Sequence, residues 1–372
     1  MNNTPFKIMT IFGTRPEAIK MAPLIRLLNQ EPAIESVVTT TAQHRQQLDQ
    51  VLKAFDLQPR YDLNIMKAGQ SLTDINTNIL QALDPVLKET APDLVLVHGD
   101  ASTSFVSALC AYYNKIPVGH VEAGLRSHDK YQPFPEEINR KLLSSLADLH
   151  FAPTEVSKDN LVKENIIKNV FVTGNTVIDA MAHTIKPGYV FKEKALNNLQ
   201  GRIITLTAHR RENLGQPLEN ICRAVLKLRD KYEDLIFVYP VHLNPQVRHK
   251  VIDLLRNKER IILTDPLDII EMHNLMAKSR LILTDSGGLQ EEAPHLNVPV
   301  LVLRNVTERP EGIEANVTRL CGTDADHIVE LTSLLLDNEE EYQKMARGKN
   351  PFGDGTASMR IVKAIKNFYM TI

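Results

Sequence analysis

Short apolar runs rich in β-branched residues alternate with longer segments of helical period, and this alternation occurs twice along the chain. In the first half the apolar runs fall at 7–12, 37–41, 93–98, 118–122, 149–151 and 170–172, and the helical segments at 18–28, 45–55, 72–90, 102–113 and 136–147. After Gly201 the pattern restarts. Runs appear at 203–207, 235–239, 261–264, 281–284 and 300–303, with helices at 217–230, 245–257, 267–277 and 289–295. The runs are apolar almost throughout, as strands covered on both faces require. Strands alternating with helices predict an α/β fold with open parallel sheets. A chain of 372 residues exceeds the size at which one core usually keeps growing, so two domains are expected. Their boundary is expected between 174 and 201, where Pro187-Gly188 interrupts a helical stretch. A polar stretch at 323–354 precedes a last helix near 358–368.

Composition removes several functions. The formal net charge is -2, with no basic footprint for nucleic acid or an anionic membrane. The apolar run at 6–12 is too short to span a bilayer and lacks a cleavage pattern, so a soluble cytoplasmic protein is expected. Cys110, Cys222 and Cys321 form no CxxC pair and read as small buried hydrophobes. No HExxH, calcium loop, P-loop or Gly-x-Ser-x-Gly elbow occurs, and no metal is expected. The GxGxxG fingerprint is also absent, which disfavours a nicotinamide or flavin dinucleotide; no cofactor is expected.

Four clusters could carry chemistry. Gly13-Thr14-Arg15-Pro16-Glu17 follows the first strand, with Lys20 one turn into the helix; a tight turn, helix N-terminal amides and two cations suit a phosphate. The same residues also fit an ordinary strand–helix turn. Ser286-Gly287-Gly288, followed by Glu291 and Glu292, could set backbone donors against a diphosphate and a carboxylate against ribose hydroxyls, or could simply cap a helix at Ser286. Asp100 and Glu122 end apolar strands, and Glu136 opens a helix after Pro133-Phe134-Pro135. Proton removal and return needs positioned acids and bases, and strand ends present them on a rigid scaffold. Arg140, one turn on, is placed to pair with Glu136. His209-Arg210-Arg211-Glu212-Asn213 follows the first strand of the second half, and His242 ends the next strand. That set fits a pyrophosphate site or a polar loop. In open α/β sheets, ligands bind at the carboxyl edge where all of these residues fall.

The segment 12–23, Phe-Gly-Thr-Arg-Pro-Glu-Ala-Ile-Lys-Met-Ala-Pro, resembles the opening motif of the non-hydrolysing UDP-N-acetylglucosamine 2-epimerases. The similarity continues through His98-Gly99-Asp100, the segments 119–126, 134–140 and 207–213, the run 284–292, and the tail 353–358. The resemblance implies two Rossmann-like domains facing across a cleft, a GT-B-like arrangement. It places the first domain at 1–174, joined by a C-terminal helix at 358–372, and a UDP-binding domain at 175–357. It implies a homodimer that interconverts UDP-N-acetylglucosamine and UDP-N-acetylmannosamine for surface polysaccharide synthesis. The route is elimination of UDP to 2-acetamidoglucal, followed by readdition. By position, Arg15, Lys20, Asp100, Glu122, Glu136, Arg140 and His209 correspond to catalytic or supporting residues. Arg15, Arg210, His242, Ser286, Gly287, Gly288 and Glu292 correspond to the substrate and UDP contacts. Gln43, His44, Gln46 and Gln47 resemble part of a second, activating substrate site.

Overall fold

Two sheets, with every strand pairing parallel, organise the computed structural model. It describes residues 5–42, 45–67 and 69–370, with 45–47 and 370 by backbone alone. The first sheet holds β1 (Phe6–Phe12), β2 (Ile34–Thr40), β3 (Tyr61–Asp62), β4 (Leu94–His98), β5 (Val118–Val121), β6 (Leu149–Ala152) and β7 (Val170–Val172). Their order is β3-β2-β1-β4-β5-β6-β7. The second holds β8 (Arg202–Thr207), β9 (Leu235–Pro240), β10 (Ile261–Thr264), β11 (Ser279–Thr284), β12 (Val300–Val302) and β13 (Thr318–Leu320), in the order β10-β9-β8-β11-β12-β13. Both are doubly wound Rossmann-like sheets. In each, the strand order reverses beside the first strand, between β1 and β4 and between β8 and β11. A crevice at the carboxyl ends of such a strand pair is where open α/β sheets bind ligands.

Burial follows the sequence pattern. Every residue of β4, β5, β6 and β9 is buried, because helices cover both faces. The helix Arg15–Gln30 begins on Thr14, carries Pro16 in its first turn, and has Glu17 reaching back to the Thr14 N–H at 2.8 Å. Its inner face buries Ala18, Met21, Ala22, Leu24, Ile25 and Leu28 completely. Full burial of one such leucine or isoleucine contributes about 1.5–3 kcal/mol.

The chain divides into two compact units, Met1–Ala180 with Gly353–Ile372, and Met181–Phe352. The first division lies six residues beyond the 174/175 boundary drawn from sequence, inside the helix Thr176–Thr184. The reason is Asp179 on that helix. Its buried carboxylate accepts the N–H groups of Ala357 and Ser358 at 3.2 and 2.7 Å, capping the helix Ala357–Met370. That last helix lies in the first unit. Lys366 bonds Glu31 at 2.8 Å, and the rings of Tyr369 and Phe6 are 3.8 Å apart.

Several elements were not read from sequence: β3, β13, and the helices Glu155–Lys163 and Pro310–Glu314. The stretch 323–354, read as polar, contains two helices, Ala325–Asp337 and Glu339–Ala346. Asp324 caps the first by accepting from the Asp326 and His327 N–H groups, and Ile328, Leu335 and Leu336 bury its inner face.

Candidate active site

In the first unit, the turns after β1, β4 and β5 carry the charged residues. Gly13 leaves β1 in a place where only a glycine fits: a Cβ there would lie 2.0 Å from Thr41 Oγ1 and 2.4 Å from Thr103 Oγ1. Arg15 then starts the helix half-buried, with no ion pair among the described residues. Lys20, one turn later, forms an ion pair with Glu122. Glu122 sits in the left-handed region at φ 65°, a conformation costly for a side chain with a Cβ and kept where surrounding contacts enforce it. Asn175 supplies one such contact, donating to Glu122 Oε2 at 3.0 Å. Beneath lies His98, the last residue of β4, with Nε2 3.8 Å from the same oxygen. Burial pushes the His98 imidazole down to about 4, against the pull of Glu122, so it is neutral.

Asp100 follows Gly99, which also has positive φ. Arg140 Nη2 lies 2.5 Å from Asp100 Oδ2, and Asn139 donates to the Asp100 carbonyl at 2.8 Å, so the helix Glu136–Leu146 braces the β4 turn. Arg140 also reaches Glu137 at 3.2 Å. The expected Arg140–Glu136 pair is therefore replaced. Glu137 is the residue that turns inward, wholly buried and accepting the Ser127 and His128 N–H groups at 3.0 and 3.1 Å, while Asp100 arrives from β4. Burial acts to raise the Glu137 carboxyl, but these donors and Arg140 win and hold it below its ordinary value. Glu136 Oε2 is buried without a hydrogen-bond partner.

In the second unit the organising group is Asp285, at the end of β11 and wholly buried. Its Oδ2 accepts the His209 N–H at 2.7 Å, the Arg210 N–H at 2.8 Å and Asn213 Nδ2 at 2.9 Å, and His209 Nδ1 is 3.2 Å from Oδ1. Burial works against the charge, yet His209 and the two N–H groups hold the carboxyl below its ordinary value. Tyr239 donates to the Ala208 carbonyl at 2.8 Å, fixing the backbone just before His209. The His209 and His242 rings stack with centroids 5.1 Å apart and planes 10° apart. Burial and His209 lower the His242 imidazole.

Ser286 occupies the N-cap position of the helix Gly287–Glu292, one of its two sequence readings, but its side chain makes no capping bond. A Cβ on Gly287 would meet the guanidiniums of Arg309 at 3.7 Å and Arg210 at 4.0 Å, so two cations flank that backbone. Arg309 pairs with Glu291, and Glu292 Oε2 is 3.2 Å from the buried His273 Nε2.

The family model described as UDP-N-acetylglucosamine 2-epimerase matches residues 26–366. The chain belongs to that family. The UDP-N-acetylglucosamine 2-epimerase of Bacillus subtilis is 54% identical over 365 residues, covering 98% of this chain and 96% of the relative. Two solved structures are similar in fold and sequence. The S. aureus MnaA–UDP co-structure has a TM-score of 0.89 and 50% identity, covering 99% of this chain and 98% of that one. The Neisseria meningitidis UDP-GlcNAc 2-epimerase bound to UDP-GlcNAc has a TM-score of 0.88 and 49% identity, covering 97% and 100%.

For this epimerase-family chain, the first unit joins Lys20 to Glu122 and Asp100 to Arg140, and the second joins His209 to His242 and sets Arg210 beside Gly287. Gln43 and His44, and the side chains of Gln46 and Gln47, lie outside the described residues. Sequence reasoning set Asp285 at the carboxyl end of a strand without giving it a role, and passed over Glu137, Asn175 and Arg309. A usable signal existed for Asp285 alone, since it ends an apolar strand as Asp100 nearly does. Among the described residues no cluster could hold a metal ion, and no helix is long and apolar enough to cross a membrane.

Proposed function

We propose that this chain reversibly inverts C2 of UDP-N-acetylglucosamine to give UDP-N-acetylmannosamine without net hydrolysis. The C2 hydrogen has no adjacent carbonyl to acidify it, so direct abstraction is unfavourable. Elimination solves this: a base takes the C2 proton while the C1–O bond breaks, the electron pair leaving on the UDP phosphate oxygen. The products, 2-acetamidoglucal and UDP, recombine as a proton is delivered to the other face of C2. Two faces need more than one acid–base group, and Asp100, Glu122 and Glu136 are the groups we assign to the sugar. Arg15, His209 and Arg210 would stabilise charge on the departing diphosphate. His242, Ser286, Gly287, Gly288 and Glu292 would hold the nucleotide.

The observation that carries this reading is the placement of two carboxylates, each paired with a cation, at adjacent strand ends of the first unit in a chain of this family. A homodimer in the cytoplasm, supplying N-acetylmannosamine units for surface polysaccharide, completes the proposal; light scattering tests the dimer. The chemical test is proton NMR of UDP-N-acetylglucosamine in heavy water. Product with deuterium at C2 is expected, with slow leakage of 2-acetamidoglucal and UDP. Product retaining its original C2 hydrogen would exclude the mechanism.

A further inference from the structure

We propose that Glu17 is a positioning residue, held as a neutral carboxylic acid whose proton ties the turn after β1 to the end of β4. Glu17 is 4% exposed. Its Oε2 accepts the N–H groups of Gly13 at 3.1 Å and Thr14 at 2.8 Å. Its Oε1 lies 2.7 Å from Ser104 Oγ, and that same hydroxyl oxygen lies 2.5 Å from the His98 carbonyl oxygen.

Counting hydrogens favours one protonation state. A serine hydroxyl has one hydrogen to donate. The His98 carbonyl can only accept, and an ionised Glu17 could only accept as well. One hydrogen cannot make a full hydrogen bond to each of two acceptors at 2.7 and 2.5 Å. The count closes when Glu17 Oε1 carries a proton: Glu17 O–H donates to Ser104 Oγ, and Ser104 O–H donates to the His98 carbonyl. Arg15, Lys20, His98 and Asp100, the ionisable side chains on the segments joined here, are not hydrogen-bond partners of Glu17. Burial favours the neutral form too, pushing this carboxyl above its ordinary range against the opposing pull of the Ser104 and Thr14 hydroxyls and the two N–H groups.

The bridge spans the pair of strands at which the sheet order reverses. One end fixes Gly13 and Thr14, which precede Arg15; the other fixes His98, two residues before Asp100. A neutral acid makes this join without placing a negative charge under Arg15, whose guanidinium stays available to a phosphate. The inference rests on the epimerase reading for the importance of those two turns, but the protonation state does not depend on it.

Two measurements test it. The infrared difference spectrum of wild type minus E17Q at neutral pH is expected to show the carbonyl stretch of a protonated carboxylic acid, shifted in heavy water. Its absence overturns the proposal whether or not the protein is an epimerase. In the epimerase assay E17A and S104A are expected to lower kcat by about 10-fold or more, the effect of leaving buried partners unsatisfied, with KM little changed. E17Q is expected to restore what E17A loses, because its amide donates to Ser104 as the acid does and its carbonyl still accepts from Gly13 and Thr14. A folded E17Q as impaired as E17A would show that a charge is required and would overturn the neutral acid.

Discussion

The two units share a scaffold and use its switch point in opposite ways. In each, an acidic residue stands just past, or next after, the strand that neighbours the first one: Asp100 after β4, Asp285 after β11. The Asp100 side chain is 28% exposed and meets Arg140; Asp285 is completely buried, its Oδ2 accepting the N–H groups of His209 and Arg210 and the Asn213 amide while its Oδ1 faces His209 Nδ1. The first arrangement leaves a carboxylate within reach of a substrate. The second consumes its carboxylate in building a loop, which leaves the imidazole of His209 and the cation of Arg210 as the groups on offer. One topology thus supplies a site rich in acids and another rich in donors, and the difference lies in which way one side chain turns.

Exchanging charge for amide should break the comparison most sharply. Asp100→Asn and Glu122→Gln are expected to lower kcat by about 100-fold or more, the scale of a positioned acid or base, with thermal stability and UDP affinity near wild type. Asp285→Ala is expected to do the reverse in kind. It strands buried donors, each costing about 1–3 kcal/mol, so the melting temperature should fall together with UDP affinity. Equal loss of stability in Asp100→Asn and Asp285→Ala would erase the distinction between them.

A smaller effect is expected from single binding groups. Arg15→Ala in the first unit and Ser286→Ala in the second should each weaken UDP binding, the arginine by about 1.5–3 kcal/mol for a lost charged hydrogen bond and the serine by less. Calorimetry with UDP measures both, and unchanged affinity in the pair would remove these residues from the nucleotide site.

The smallest effect separates the units by acidity. His98, His120 and His150 stand on neighbouring strands of the first sheet, and burial pushes them down to about 4, 3 and 4. A histidine whose folded value lies below its ordinary 6.5 stabilises the fold above that value, and the contribution is lost as pH falls toward the folded value. Asp285, also lowered, stabilises above the ordinary 3.8 of an aspartate and loses that contribution only below it. Between about pH 6 and pH 4 the first unit should therefore loosen while this brace of the second holds. Hydrogen exchange near the two ends of that range would show β4, β5 and β6 losing protection before β8 and β11. The opposite order would show that the buried histidines do not govern acid stability.

Much of the fold was legible because covered parallel strands must be apolar almost along their whole length, and β4 and β9 announce themselves that way. What was missed had a physical reason. β3 has two residues at a sheet edge, too few for any pattern. The helix Ala325–Asp337 does carry Ile328, Val329, Leu331, Leu334, Leu335 and Leu336, but its cap, Asp324, looks like any loop aspartate and the charged helix Glu339–Ala346 follows at once, so the stretch as a whole reads as polar. In the candidate site, strand ends located Asp100 and Glu122, because a side chain just past a buried strand has to emerge at the sheet edge. Glu136 and Glu137 could not be told apart in this way. They are neighbours at a helix start, and only the path of 127–128 decides which one is buried. Glu17 read as the helix-start residue of a motif, while its second partner, Ser104, lies 87 positions away.

The last helix has a consequence for biosynthesis. The first unit is interrupted after Ala180 and resumes only at Gly353. On a ribosome adding about 5–20 residues per second, its sheet is complete roughly ten to forty seconds before the closing helix has been made. During that interval the apolar surface later covered by Ile361, Val362 and Ile365 has no covering segment. A nascent first unit in that state exposes apolar surface of the kind chaperones cover, and truncation anywhere in the second unit removes the first unit's final helix as well.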